Sequence, residues 1–333
     1  MPTQHDADAI EAWQRYWRSG ALHSLSLGER NLDGALGQRW RDWLARLPAG
    51  CVVADLASGN GPLARFALGL DGGRRDRARV VHAVDIAASE PRWLDEVDAE
   101  TRAALRWHGG IALEGLDLPG AAVDAWVSQF GFEYADVVRA AARIRALSSP
   151  RSRLAMLVHH VDSLFVTTGR REAEALDRLL GMEGLADAAT RLAPRLAERR
   201  SGQAWDADQR AAADAARLAY NSAQRDLDRW QEARDGSGGF AMAPVVDEFR
   251  SEIHRALAAE QPIGAVASVI SAFAATRRRL GTLMAAARDA AAMAQWCRDW
   301  EEAGWRASLE AAHEDGQLIG WWFEAERDAQ RTA

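Results

Sequence analysis

Lysine is missing from this sequence: all 41 basic residues among its 333 are arginine, which reads as a coding bias and not as a function. Cysteine is scarce too. Cys51 and Cys297 are the only two, too few for a disulfide framework or a cysteine-rich zinc site, and no metal site is expected. No apolar run is long enough to span a bilayer, and the N-terminus is polar and acidic, without the basic and apolar regions of a signal peptide. The expectation is a cytoplasmic protein with no membrane partner. Positive charge is in deficit as well. The formal net charge of -7 argues against a nucleic-acid partner, since binders of polyanions usually present a basic face. Internal repeats and low-complexity tracts are absent. What remains, 48% hydrophobic and 27% charged residues, describes a globular chain able to bury a large core, as one big domain or one domain with an insertion.

The most informative stretch is Val52-Val53-Ala54-Asp55-Leu56-Ala57-Ser58-Gly59-Asn60-Gly61, followed by Pro62 to Ala67 at helical spacing. It reads as a buried strand, a tight turn and a helix start. Gly59 and Gly61 can take left-handed backbone conformations and carry no side chain, so a ligand can lie against the main chain there. Asp55 stands at the carboxyl end of the strand, where open α/β sheets place their ligands. Two helices precede this strand. One, over residues 6–18, carries Ile10, Trp13, Tyr16 and Trp17 on one face; the other, over 32–47, carries Leu36, Trp40, Trp43, Leu44 and Leu47. Core packing is the simpler account of their aromatics.

A second buried strand, Arg79 to Ile86, also ends in an acid. Asp85 can accept hydrogen bonds from both hydroxyls of a ribose, and Ile86 offers an apolar surface to a purine. A helix from Pro91 to about Leu105, a strand at Arg106–Ile111, a strand at Val123–Phe130, a helix from about Tyr134 to Leu147 and a strand at Leu154–His160 complete five alternations. That pattern predicts a doubly wound, mostly parallel sheet, because parallel crossovers need helices. From residue 163 to 302 the pattern changes to helices alone, near 170–180, 185–199, 204–234, 244–259 and 263–302, the last one broken. Two strands close the chain, joined by a turn at His313-Glu314-Asp315-Gly316, and must be antiparallel.

These residues together resemble the class I, Rossmann-like S-adenosylmethionine-dependent methyltransferases. Asp55-Leu56-Ala57-Ser58-Gly59-Asn60-Gly61 is similar to the family's D-x-G-x-G-x-G turn except at Ala57. Asp85 matches the acid of the second strand, and Gly304-Trp305 resembles the step before the terminal hairpin. The resemblance implies a seven-stranded sheet with an antiparallel C-terminal hairpin. It covers residues 50–160 and 303–326, and divides the chain into an N-terminal lead-in (1–49), a cofactor domain (50–162 with 303–333) and a helical insertion (163–302). The insertion is a cap over a small acceptor, with aromatics such as Tyr220, Phe240, Phe249 and Phe273, or a dimerisation arm, so a homodimer is one expectation.

Carried over residue by residue, Ala57, Ser58, Gly59, Asn60 and Gly61 lie under the methionine part of S-adenosyl-L-methionine and Asp85 holds its ribose. Backbone groups of Ile111 and Ala112 serve the adenine in place of an absent acid, and Ser128, Gln129 and Phe130 line the methyl. Candidate proton acceptors are His159, His160, His23 and Glu133. A purely structural hydrogen bond is the simpler account of each histidine, and Glu133 fits a helix cap equally well. Successive strand residues point to opposite faces, so at most one of His159 and His160 faces a given pocket. The expected activity is methyl transfer to an oxygen or nitrogen of a small or medium-sized molecule. The alternative is a catalytically silent cofactor-binding or assembly protein, favoured by Ala57 and Ile111. A dehydrogenase fits less well.

Overall fold

The computed structural model describes residues 11, 13–14, 16–18, 20–22, 32–71, 78–118, 120, 122–202, 204–235 and 244–328. The run Cys51–Leu56 has no polar alternation and is buried along its whole length, as a strand covered on both faces must be. It forms β1 and pairs in parallel with β2 (Ala78–Asp85) on one side and β4 (Val123–Gln129) on the other. Strand β3 (Leu105–Gly109) extends the sheet beyond β2, and β5 (Ser148–Val158) beyond β4, both in parallel. The chain then returns with β6 (Trp305–Glu314) and β7 (Gln317–Arg327), β7 lying antiparallel between β5 and β6. The order is β3-β2-β1-β4-β5-β7-β6. The expected seven-stranded, mostly parallel sheet with an antiparallel terminal hairpin is therefore present. Its topological switch lies between β1 and β4, the place where such sheets bind ligands beyond the carboxyl ends of their strands.

The chain forms two compact units, one of residues 1–167 and 282–333 and the other of residues 168–281. In the first, α1 (Ala35–Ala45) and α2 (Pro62–Ala67) bury Trp40, Trp43 and Phe66 on one face of the sheet. Helix α3 (Ala99–Ala104) leads into β3, and α4 (Val137–Leu147) into β5. In the second unit, which takes in most of α5 (Leu164–Leu180), helix α6 (Leu185–Arg200) packs against α7 (Ala207–Asp235) and α8 (Val245–Ala258). Phe249 of α8 meets Phe273 of α9 (Pro262–Ala286) edge to face, 4.9 Å between ring centres. Helix α10 (Ala290–Glu302) belongs to the first unit, where Met293, Trp296 and Trp300 cover the second face of the sheet with Trp126, Phe132 and Phe323.

Several elements depart from the sequence pattern for local reasons. The helix expected from Pro91 is cut in two, because Pro91 stays extended and only a 3-10 turn follows at Arg92–Asp95. Asp98 then caps a new helix by accepting from the Thr101 N–H at 2.7 Å. The helix expected from Tyr134 begins at Val137, with Asp136 as its cap, after a 3-10 turn at Phe132–Tyr134. Strand β5 starts at Ser148, directly after α4 and earlier than Leu154. The break within 263–302 falls at residues 287–289, where Arg288 forms a bridge with His160 beside the end of β5. The closing hairpin turns on Asp315 and Gly316, both at positive φ (49° and 75°), the backbone shape a two-residue hairpin loop requires.

Candidate functional site

At the carboxyl ends of β1, β2 and β4 the sheet frames a cavity of about 100 Å³. Its polar lining comes from Ser58, Asp85 and Gln129, its apolar lining from Ile86, Phe130 and Tyr134 among others. The turn beneath it is built on positive φ at Ala57 (50°), Gly59 (55°) and Gly61 (74°). Ala57 is an L-residue held in the left-handed region, and Phe130 (φ 53°) is another in the same wall; each holds strain that the surrounding structure must fix. Room for the Ala57 methyl is made across the cavity. A Cβ added at Gly131 falls 2.5 Å from the Ala57 Cβ, so the glycine at 131 accommodates the departure from glycine at 57.

The two acids behave differently. Asp55 is buried and accepts from the Ala64 N–H at 3.0 Å, tying the strand end to the start of α2. Burial holds its carboxyl well above the usual range, and the neighbouring Asp85 adds to this. Asp85 accepts from the Gly59 N–H and the Ala87 N–H, both at 2.7 Å, and lines the cavity. Burial raises its pKa too, against those two N–H groups. Each carboxylate oxygen retains acceptor capacity for a further donor. Ser58 donates its N–H to the Val84 carbonyl at 3.0 Å, while its buried hydroxyl, also in the cavity wall, has no partner among the described residues. Asn60 faces elsewhere: its amide donates to the Trp17 and Ala21 carbonyls at 3.0 and 2.7 Å.

Those two bonds pin the N-terminal segment over the turn, and this cover is what the sequence reading left out of the site. Trp13, Trp17 and Leu22 line the cavity together with Pro62. The Trp17 indole lies so close to Gly59 that an added Cβ there falls 2.5 Å from the ring. Trp13 stacks on Trp17 (5.9 Å, 19°) and meets Tyr134 edge to face (5.6 Å). The aromatic stripe of the first helix, which fits core packing by spacing alone, is thus a wall of the site. The signal was the helical repeat of three aromatics just ahead of the strand; its destination was not local.

Other expected residues are placed differently. Ile111 is exposed, and its N–H is used by the Asp85 carbonyl at 3.0 Å, so it is not free for a ring nitrogen. Ala112 is exposed and outside the cavity lining. Ser128 is buried, donating to the Leu56 carbonyl at 2.8 Å and accepting from the Phe132 N–H at 3.1 Å, a brace between β1 and β4. Gln129 lines the cavity while accepting from the Trp40 indole N–H at 2.7 Å. His159 is buried with its ring stacked on Phe130 at 4.3 Å, and burial depresses its pKa to about 3. His160 stacks on Trp321 at 4.4 Å and accepts from the Asp162 N–H at Nδ1. Neither histidine is in the cavity lining. Glu133 does not cap α4; its Oε1 accepts from the His159 N–H at 2.9 Å, its Oε2 is unpartnered among the described residues, and burial pushes its pKa up to about 7. His23, Ile10 and Phe240 lie outside the described residues. One hub went unnoticed in the sequence. Arg288 accepts from the Val161 N–H and the Trp321 indole at its carbonyl and donates its guanidinium to the Glu133 carbonyl at 3.0 Å, locking the loop after α9 to the end of β5.

No family model and no curated protein matches the sequence. Among solved structures the chain is similar to one from the complex between the Haloferax volcanii Trm112 methyltransferase activator and a putative methyltransferase, at 22% identity over 46% of this chain and 60% of that one, TM-score 0.30. It is also similar to a SAM dependent methyltransferase from Aquifex aeolicus (15% identity, 45% and 74% covered, TM-score 0.34) and to the [4+2]-cyclase SpnF (18%, 46% and 60%, TM-score 0.35). The chain spans about 60% of the length of the Haloferax and SpnF chains. What those proteins act on is theirs alone. The strand order, the strand senses and the glycine turn at the switch point make the fold of residues 50–160 and 303–326 that of the class I methyltransferases.

Proposed function

We propose that the cavity over the Asp55–Gly61 turn binds S-adenosyl-L-methionine and that the chain transfers its methyl to a small acceptor of apolar or aromatic character. The observation that carries this reading is Asp85: a buried carboxylate at the end of β2, in the wall of a cavity, with two backbone N–H groups fixing its position and lone pairs left to accept from a pair of ribose hydroxyls. Ser58, in the same wall, has a buried hydroxyl without a partner among the described residues, a second polar group at this end of the sheet. The three atoms nearest an added Cβ at Gly59 all belong to the Trp17 ring, so withdrawing that side chain clears the nearest obstacle between the turn and a ligand. That withdrawal is required. A cavity of about 100 Å³ is below the roughly 300 Å³ at which small-molecule sites begin.

When bound, the cofactor supplies an electrophilic methyl that an acceptor lone pair displaces in line. The chain's own part is positioning and exclusion of water. Asp85 would orient the ribose, the Ala57–Gly61 backbone would support the amino-acid end, and Trp13, Phe130 and Tyr134 would enclose the reacting pair in apolar surface. Among the described lining residues Asp85 and Tyr134 are the titratable ones, Asp85 is assigned to the ribose, and no histidine is among them. Acceptors that react without prior loss of a proton suit such a site best. The same observation favours a second reading, a cofactor-binding protein without turnover.

A thermal-shift comparison of S-adenosylhomocysteine with NAD separates this proposal from dehydrogenase chemistry; stabilisation by the former alone is expected, and no stabilisation removes it. The Asp85→Ala variant is expected to lose at least tenfold in affinity for S-adenosylhomocysteine, as the loss of a charge-assisted hydrogen-bond pair implies.

A further inference from the structure

A second cavity, of about 900 Å³, shares Trp17 and Leu22 with the first and carries both arginines and acids in its wall. Four arginines reach it: Arg18, Arg41, Arg65 and Arg92. Arg65 is neutralised by Asp71 through two bonds of 2.7 Å. Glu90, another wall residue, is engaged by Arg102 at 2.9 Å. The other three guanidinium groups have no carboxylate within ion-pair distance among the described residues. Arg92 donates to the Arg18 carbonyl at 3.2 Å, and Arg41 reaches Gln38 and the Leu32 carbonyl only at 3.3 to 3.4 Å. Asp33 is left as the sole unengaged acid of the described wall.

Among the described residues, Arg18, Arg41 and Arg92 thus bring three guanidinium groups without a carboxylate partner to the wall of one cavity. A guanidinium cannot shed its charge, so each of the three stays a cationic donor able to take an anion. The cavity also has flat apolar walls. Trp93 is held in place by donating its indole N–H to the Asn60 carbonyl at 2.7 Å, with Arg65 stacked 5.1 Å above its ring, and Trp17 forms the boundary with the first cavity. Its volume falls within the range of small-molecule sites.

We propose that this cavity binds an organic oxyanion, a carboxylate or phosphate group on a flat apolar body. The arginine forks take the oxyanion and the indoles flank the body. The site adjoins the proposed cofactor cavity across Trp17 and Leu22, but its charged donors are its own, since none of Arg18, Arg41 and Arg92 lines the latter.

Calorimetric titration of the full chain with phenyl phosphate, benzoate and phenol tests this. Saturable binding of at least one of the two anions is expected, weakened by added sodium chloride, with phenol silent; which anion binds identifies the oxyanion. Arg41→Gln and Arg92→Gln, each removing one charged donor, are expected to weaken that binding about tenfold or more, while Arg306→Gln at the start of β6 leaves it unchanged. The proposal is overturned if neither anion titrates, if phenol binds as well as they do, or if all three variants behave alike. Because no step of this readout uses S-adenosylhomocysteine, failure of the cofactor reading and failure of this one are told apart.

Discussion

Ala57 and Gly131 form a reciprocal pair that can be separated experimentally. Gly131→Ala places a methyl 2.5 Å from the Ala57 Cβ and 3.0 Å from its carbonyl, and is expected to destabilise by about 1 to 3 kcal/mol as an overpacked site. Ala57→Gly relieves a left-handed alanine and stays within about 1 kcal/mol of neutral. The double variant should recover about 1 kcal/mol or more of the Gly131→Ala loss in denaturant unfolding, and strict additivity would refute the pairing. Glu133 supplies a pH signature at the same scale. Its carboxyl titrates near 7 in the fold against an ordinary 4.5, so the native state holds the proton longer than the unfolded chain. The stability this protonation confers is complete below about pH 4.5 and is lost as pH rises towards 7. Glu133→Gln keeps an acceptor for the His159 N–H and removes the titration. Subtracting the variant's stability curve from the wild type's should therefore give a difference falling by about 3 kcal/mol between pH 4.5 and 8, an upper figure for a wholly buried group; a flat difference would show that the carboxyl titrates normally.

Among the elements, the glycine turn, the acid at the end of β2 and the closing hairpin were legible because each is written in adjacent residues: positive-φ glycines, a strand-terminal aspartate, a turn at Asp315-Gly316. The walls of the site were not. Trp17 meets Gly59 across 42 positions and Gly131 answers Ala57 across 74, and no local pattern carries such partners. The histidines at the end of β5 were visible as titratable groups, but their stacking on Phe130 and Trp321 depended on packing that only the fold supplies. The N-terminal helical residues carry the consequence. Asn60 holds this segment through the backbone carbonyls of Trp17 and Ala21, so Trp17→Ala removes the ring over Gly59 without removing the anchor. Association of S-adenosylhomocysteine, followed by stopped-flow fluorescence of the remaining tryptophans, should quicken about three- to tenfold if the covered form must open before binding. An unchanged or slower rate would show that Trp17 is no barrier.

At the scale of the whole molecule, every described residue that lines the proposed cofactor cavity, and every residue that braces it, belongs to the unit of residues 1–167 and 282–333. The helical unit has a buried set of its own, with Val246, Phe249 and Ile253 on α8 and Phe273 on α9. A buried set within each unit implies separable stabilities. Replacing residues 168–281 by a flexible glycine-serine linker should therefore preserve S-adenosylhomocysteine affinity within about threefold, an energy difference under 1 kcal/mol. The same variant decides what the helical unit contributes, whether acceptor selection or self-association. Retained affinity with lost methyl transfer assigns it to the acceptor, and retained transfer with a smaller mass in light scattering assigns it to the dimer. Loss of cofactor affinity in a variant that still unfolds cooperatively would mean that the cavity depends on helices outside its own unit, and the division of labour argued from the two buried sets would fail.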